Sequence, residues 1–293
     1  MPFLGELSAL LTACFWSGSA MVFASATTRV GWYQVNITRL ILATGYLTFL
    51  TIILRLNTNL SGSQVLDLSL SGIVGLSLGD SFLFKAYQEI GARVTMLVMS
   101  LAPAIAALIA YIALDETLSA AGIAGIAITV IGVSAVVLDR GSGRVLVTTS
   151  GLLFALLAAV GQGGGLVLAK AAFRDGDLNG FVAAAVRIVA SLAVLLPLGL
   201  LTKRFSNPMR MIHEDPRSFR LIALGSILGP FLGISFSLIA VQHTKVGVAA
   251  AIMAIVPILM LPLVRFVYKE HLTWKAIAGA FVAVAGVAVL FLR

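Results

Sequence analysis

The sequence has one cysteine, Cys14, and three histidines, His213, His243 and His271. A single thiol excludes an intramolecular disulfide, and the scattered histidines show no metal-ligand spacing. Charge is equally scarce: Asp, Glu, Lys and Arg make up 11% of 293 residues, and Asp and Glu together number 12. A soluble domain carries about 25% charged residues, so most of this chain is not built to meet water. No His, Asp or Glu cluster and no nucleophile with a nearby base recurs at useful spacing, which argues against an enzyme. No cofactor is expected. The net charge of +8 would suggest nucleic acid in a soluble protein, but in this composition it fits basic loops against anionic lipid. A lipid bilayer is therefore the expected partner, and nucleic acid is not.

What the chain has in abundance is apolar length. Hydrophobic residues make up 60% of it, and its mean hydropathy is +1.06. A helix needs about 20 predominantly apolar residues to cross the bilayer. Segments of that kind run over roughly 4–25, 35–54, 66–86, 94–114 and 119–138, then 150–170, 180–201, 219–240, 247–267 and 273–292. In lipid every backbone group must be satisfied internally, so these segments are read as helices. Residues 4–25 are read as a retained first helix rather than a signal peptide, because Glu6 stands where a basic leader region would lie.

Residues 73–139 can be laid without a gap over residues 227–293. At this constant offset of 154, Gly75, Gly79, Pro103, Gly125 and Gly132 fall on Gly229, Gly233, Pro257, Gly279 and Gly286. Gln88, Met99 and Glu116 fall on Gln242, Met253 and Glu270. The chain thus divides into two copies, residues 1–140 and 147–293. Five spans per copy is an odd number, so the second copy enters the membrane upside down. The expected fold is all-α and integral to the membrane: ten transmembrane helices as two inverted five-helix repeats. Inverted repeats are common in secondary transporters, with the substrate site near the midplane between the halves.

Each copy carries the same local marks in the same order. They are Trp16-Ser17-Gly18 in the first helix, Arg39 and its counterpart Arg187, and Ala86-Tyr87-Gln88 ahead of Pro103. Ala240-Val241-Gln242 ahead of Pro257 follows, and the acidic turns are Asp115-Glu116-Thr117-Leu118 and Lys269-Glu270-His271-Leu272. On these marks the chain resembles the EamA-type family of the drug/metabolite transporter superfamily over nearly its whole length. The resemblance implies a secondary transporter in the inner membrane of a bacterium, working as a monomer. Its substrate would be a small molecule, an amino acid or similar metabolite, exported by alternating access through a central cavity. A sugar-phosphate or nucleotide-sugar exchanger and a multidrug exporter are the alternatives it leaves. Two features depart from the family pattern. Gln162 stands where the first copy has Trp16, and the loop charges reverse the usual arrangement with both termini inside. Thirteen loop Lys and Arg fall on one side and five on the other, which by the positive-inside rule places both termini outside.

Ionisable groups inside spans are costly and usually functional. Asp80 is the sharpest candidate: it lies mid-span, and its repeat counterpart is Ile234. It serves either a substrate amine or proton, or an ion pair with Arg39 or another span cation. Arg39 and Arg187 serve either a substrate carboxylate or local structure. Trp16, Asp80, Tyr87, Met99, Gln162, Ser235 and Met253 are the expected cavity liners, on spans 1, 3, 4, 6, 8 and 9. Pro103 and Pro257 are expected kinks or hinges, since each removes a helix hydrogen bond. Gly161 and Gly165 form a small-xxx-small pair suited to close helix packing. Glu116 and Glu270 are read as helix caps. Trp32, Tyr33, Tyr268 and Trp274 are read as interface anchors, and Tyr111 as lying near the face toward the other copy. Asn36-Ile37-Thr38 fits a glycosylation acceptor, but it abuts a span and is read as chance. The fifth and tenth spans, almost wholly Ala, Gly, Ile, Val and Leu, are expected at the periphery.

Overall fold

The computed structural model describes residues 3–113, 119–137, 147–176, 178–244, 246–267 and 272–291. Among them there are helices and no strands. In chain order these are α1 (Leu4–Val30), α2 (Trp32–Ile53), α3 (Gly62–Met99), α4 (Ala102–Ala113), α5 (Ala120–Val137) and α6 (Thr149–Arg174). There follow α7 (Gly180–Leu201), α8 (Pro208–Glu214), α9 (Pro216–His243), α10 (Val246–Met253), α11 (Val256–Val267) and α12 (Trp274–Phe291). Eight helical stretches are long and apolar enough to span a bilayer, with α10 and α11 counted as one; Trp274–Leu290 is apolar but shorter. Large side chains such as Phe49, Ile52, Leu201 and Phe266 are mostly exposed, as a lipid-facing surface requires.

Polar side chains set many of the helix starts. Ser61 and Gln64 form a reciprocal capping box at α3, and Thr148, Asn179 and Asp215 each accept a backbone N–H at the starts of α6, α7 and α9. Such caps satisfy amides that have no partner within the helix. Gly31, at φ 83°, turns α1 into α2 in one residue, and Gly91, at φ 72°, breaks α3. These are left-handed conformations that favour glycine. The expected third span and the start of the fourth are therefore joined through Gly91 in one helical stretch of 38 residues, and α4 carries the rest of the fourth.

The repeat is visible in the backbone. Ile73–Gly79 within α3 and Ile227–Gly233 within α9 are both π-helical, and the two segments lie at the same offset of 154. A π turn inserts a residue relative to the α-helix and so re-aims whatever follows. In α3 the next residue is Asp80; in α9 it is Ile234. The prolines repeat as well, but neither kinks the middle of a helix. Pro103 and Pro257 each occupy the second position of a new helix, α4 and α11, after a tight turn. There a missing N–H breaks no bond. Leu101 N–H bonds to the Val98 carbonyl at 3.0 Å and Ile255 N–H to the Ile252 carbonyl at 3.2 Å, so both breaks are matched three-residue turns.

Helices α5 and α12 pack on one another through glycine. A side chain on Gly125 would strike the backbone at Gly286 and Leu290, and one on Gly132 would strike Gly279 and Ala283. Contacts that rise along one helix while falling along the other make this pair antiparallel. The two helices are counterparts in the repeat, and each glycine meets the counterpart of the other.

Several expected positions are corrected. Tyr33 is not an interface anchor: it is buried, and its hydroxyl donates to the Leu195 carbonyl at 3.0 Å. Tyr111 is exposed rather than turned toward the other copy. His213 and His243 stand in the last turns of α8 and α9. Trp274 is exposed at the start of α12. Glu116, Glu270, Tyr268 and His271 lie outside the described residues.

Candidate functional site

A cavity of about 170 Å³ lies among the helices, lined by α1, α2, α3, α4 and α6, α7, α9, α10 and α11. Neither α5 nor α12 contributes a lining residue, in keeping with their uniformly apolar sequences. Trp16, Arg39, Asp80, Tyr87, Met99 and Pro103 come to it from the first copy; Gln162, Arg187, Met253 and Pro257 come from the second. Ser235 is not among the liners. It is fully buried, and its hydroxyl bonds back to the Phe231 carbonyl at 2.6 Å. Its neighbours Ile234 and Ser237 face the cavity instead.

The α3–α6 contact places the centre of the site. Gly161 and Gly165 of α6 lie against Gly79 and Gly75 of α3 so closely that a Cβ on Gly161 would stand 2.6 Å from Gly79 Cα, and one on Gly165 would stand 3.0 Å from Gly75 Cα. The glycine-rich stretch stays helical, so its glycines serve backbone packing and not an unwound loop. Ser71 donates to the Gly165 carbonyl along the same seam. This close approach lets Gln162 Nε2 donate to Asp80 Oδ1 at 2.6 Å.

Asp80 is also ion-paired with Arg39, and both side chains are 4% exposed. The Arg39 guanidinium donates from Nε and Nη2 to Asn36 Oδ1 at 3.0 and 2.9 Å. It lies over the Phe84 ring at 4.7 Å and the Phe23 ring at 6.0 Å. Asn36 in turn donates to the Ser81 hydroxyl at 3.0 Å. A charge this deep in an apolar medium is tolerable only when paired and hydrogen-bonded, and here it is both. Asn36 is fully buried, so the sequon is closed to modification. The sequence reading passed over Asn36 as an Arg39 partner and Phe84 as its platform. Helical spacing could have found them: Asn36 precedes Arg39 by three residues, and Phe84 follows Asp80 by four, so each pair shares a face.

Arg187 is 5% exposed, lines the cavity and leaves Nε without a hydrogen-bond partner. Asp80 acts on it electrostatically, but the two form no ion pair. A Cβ on Gly75 would stand 3.3 Å from Arg187 Nη2, so that glycine leaves room for the guanidinium. The rest of the wall is mostly apolar or aromatic: Phe23, Leu76, Leu83, Met96, Val256 and their neighbours. Tyr87 donates to Met96 Sδ at 3.0 Å, which fixes its ring at the edge. Among the described residues no group of His, Cys, Asp and Glu could hold a metal ion. Such a chamber, apolar with a few convergent polar groups, suits one small organic molecule.

The model of the EamA-like transporter family matches residues 3–138 and, a second time, residues 149–292. No curated protein matches the chain. One solved crystal structure superposes with a TM-score of 0.69 at 19% identity, covering 97% of this chain and 95% of that one. At that identity the likeness concerns the fold alone.

Proposed function

The chain belongs to the EamA-like transporter family, and from that premise we propose that it is a secondary transporter exporting small metabolites, amino acids first among them, by alternating access. One observation carries the reading: a cavity lined from both family repeats holds, among the described residues, the one ion pair whose two partners are both buried. Helix counterparts run antiparallel at the α5–α12 contact, which supports two inverted repeats. Splitting the long stretch at Gly91, with α4 completing its short second half, and adding α12 supports ten spans. In such an arrangement rocking one repeat against the other exposes the site to each side in turn.

The size of the cavity bears on the substrate. About 150 Å³ accommodates a benzene ring, so 170 Å³ suits an amino-acid-sized solute rather than a nucleotide sugar. Several converging cations would be needed for a sugar phosphate, and neither Lys85 nor Lys170 lines the chamber. Lys85 instead pairs with Glu89 at 3.4 Å. The reading is tested by uptake into proteoliposomes against amino acids, sugar phosphates and cationic drugs, with and without a pH gradient. Amino-acid movement dependent on the protein is expected. Movement of sugar phosphates or cationic drugs alone would overturn the substrate class.

A further inference from the structure

Arg39 and Arg187 are counterparts in the repeat, and each is the eighth residue of its helix. Their surroundings differ in a way the sequence dictates. Arg39 has Asn36 three residues before it and Asp80 across from it, and it bonds to both. The position three before Arg187 is Ala184, and the counterpart of Asp80 is Ile234. Both are apolar, and both are buried. Arg187 has thus lost each of the two groups that satisfy its twin, yet it remains at the cavity wall with Nε unpartnered.

The charge balance points the same way. Among the described residues the cavity is lined by Arg39, Asp80 and Arg187 as its ionisable members of fixed charge. Asp80 neutralises Arg39, and its second oxygen is taken by Gln162. One positive charge is left over, in an apolar setting where an uncompensated cation is expensive. A guanidinium presents a planar fork of N–H donors that matches a carboxylate. Because the Asp80 charge is already matched by Arg39, no described carboxylate lining the cavity offers a substrate ammonium an unspent negative charge.

We propose that Arg187 is the carboxylate anchor of the transport cavity, and that the site takes a small monocarboxylate with an apolar body, its ammonium dispensable. The proposal rests on the transporter reading and adds to it the feature of the solute that is recognised. Gly75 belongs to the anchor by leaving the guanidinium its space, and the apolar wall receives the body of the solute.

The test uses four compounds of one shape: leucine, 4-methylpentanoate without the ammonium, 3-methylbutylamine without the carboxylate, and the neutral 4-methylpentanamide. Binding to the full-length purified protein is read by tryptophan fluorescence or calorimetry, and transport by proteoliposome flux. Leucine and 4-methylpentanoate are expected to bind; the amine and the amide are expected to bind on the order of tenfold to a hundredfold more weakly, the loss of a charged hydrogen-bonded contact. Arg187→Gln is expected to weaken the two carboxylates by a similar factor, with partial recovery in Arg187→Lys. Gly75→Ala, which crowds the guanidinium without removing it, is expected to weaken them less. Amine or amide binding equal to that of the carboxylates in the wild type would overturn the anchor, and this comparison needs no variant to fold. Unchanged carboxylate affinity in a folded Arg187→Gln would overturn it too, while leaving transport intact. Carboxylate binding that depends on Arg187 with no flux of any compound would uphold the anchor and overturn the transporter reading.

Discussion

Gln162 donates a 2.6 Å hydrogen bond to Asp80, and through that bond the first helix of the second copy reaches the one acid among the described residues lining the cavity. Asp80 is held from both halves of the molecule, by Arg39 on α2 and by Gln162 on α6. The polar centre of the chamber is therefore a joint between the repeats.

Breaking the joint is expected to cost stability before it costs anything else. Asp80→Asn leaves Arg39 buried without its counter-charge, a loss of roughly 3–5 kcal/mol. Arg39→Met alone should cost a comparable amount by stranding the carboxylate. The double variant Arg39→Met/Asp80→Asn should be less destabilised than the two single changes added together, because neither charge is left alone. Melting of purified protein in detergent measures all three; simple additivity would show that the pair is not coupled.

The glycine seam gives a paired comparison on one helix. Gly161→Ala places a methyl group 2.6 Å from Gly79 Cα, against backbone that must move, and an overpacked contact costs about 1–3 kcal/mol. Gly164→Ala, three residues on, meets only side chains at ordinary contact distance, Val74 at 3.5 Å and Ile109 at 3.9 Å, and should gain up to ~1 kcal/mol of helix propensity. Melting temperatures should move in opposite directions. Equal tolerance at both positions would mean that α3 and α6 are not in backbone contact.

Acid sensitivity should show at the junction of α1 with the start of α9. Asp215 accepts from the Ser218 hydroxyl at 2.6 Å and backbone N–H at 3.1 Å, and pairs with Arg29 at 3.1 Å. The bonds from Ser218, with the help of Arg29, hold its carboxyl down from an ordinary 3.8 to about 2. A depressed carboxyl contributes stability that is full above its unfolded pKa and lost as pH falls through the folded one. The melting difference between wild type and Asp215→Asn should therefore be constant from neutral pH down to about pH 4 and shrink between there and pH 2. A difference that vanishes already above pH 5 would contradict the contact.

Loop charge and family resemblance predict opposite orientations, and the loop charges set the expectation here. The linker from Lys203 to Arg220 carries five Lys and Arg and is expected in the cytoplasm, with both termini outside. Ser206 is exposed there. A Ser206→Cys probe in a Cys14→Ala background should resist a membrane-impermeant thiol reagent in intact cells; ready labelling from outside would reverse the topology.

Much of the site was legible because it depends on what a bilayer forbids. Asp80, Arg39, Arg187 and Gln162 stood out as polar groups where polarity is costly, and the structure gathers them at one chamber. Pro103, Pro257 and the offset of 154 announced the repeat, since those residues constrain backbone wherever they fall. Ser235 was misplaced because the face it takes depends on the π turn at Ile227–Gly233, which shifts register by a residue with no sequence signature. The same turn in α3 aims Asp80. Partner identity was hidden for a related reason: Asp80 had two readings in sequence, and only the approach of α2 and α6 shows which groups hold it. Tyr33 read as an anchor from its place at a span end, and only the packing of α2 on α7 reveals its bond to Leu195.

Solute counterflow tests the central claim most directly, because only a carrier with a site that opens to one side at a time produces it. Proteoliposomes are loaded with unlabelled leucine or 4-methylpentanoate, diluted into a trace of the labelled compound, and followed over time. The account expects transient accumulation of label above the external concentration, followed by decay as the internal pool empties. Monotonic equilibration without an overshoot, or no entry beyond that of protein-free liposomes, would contradict it.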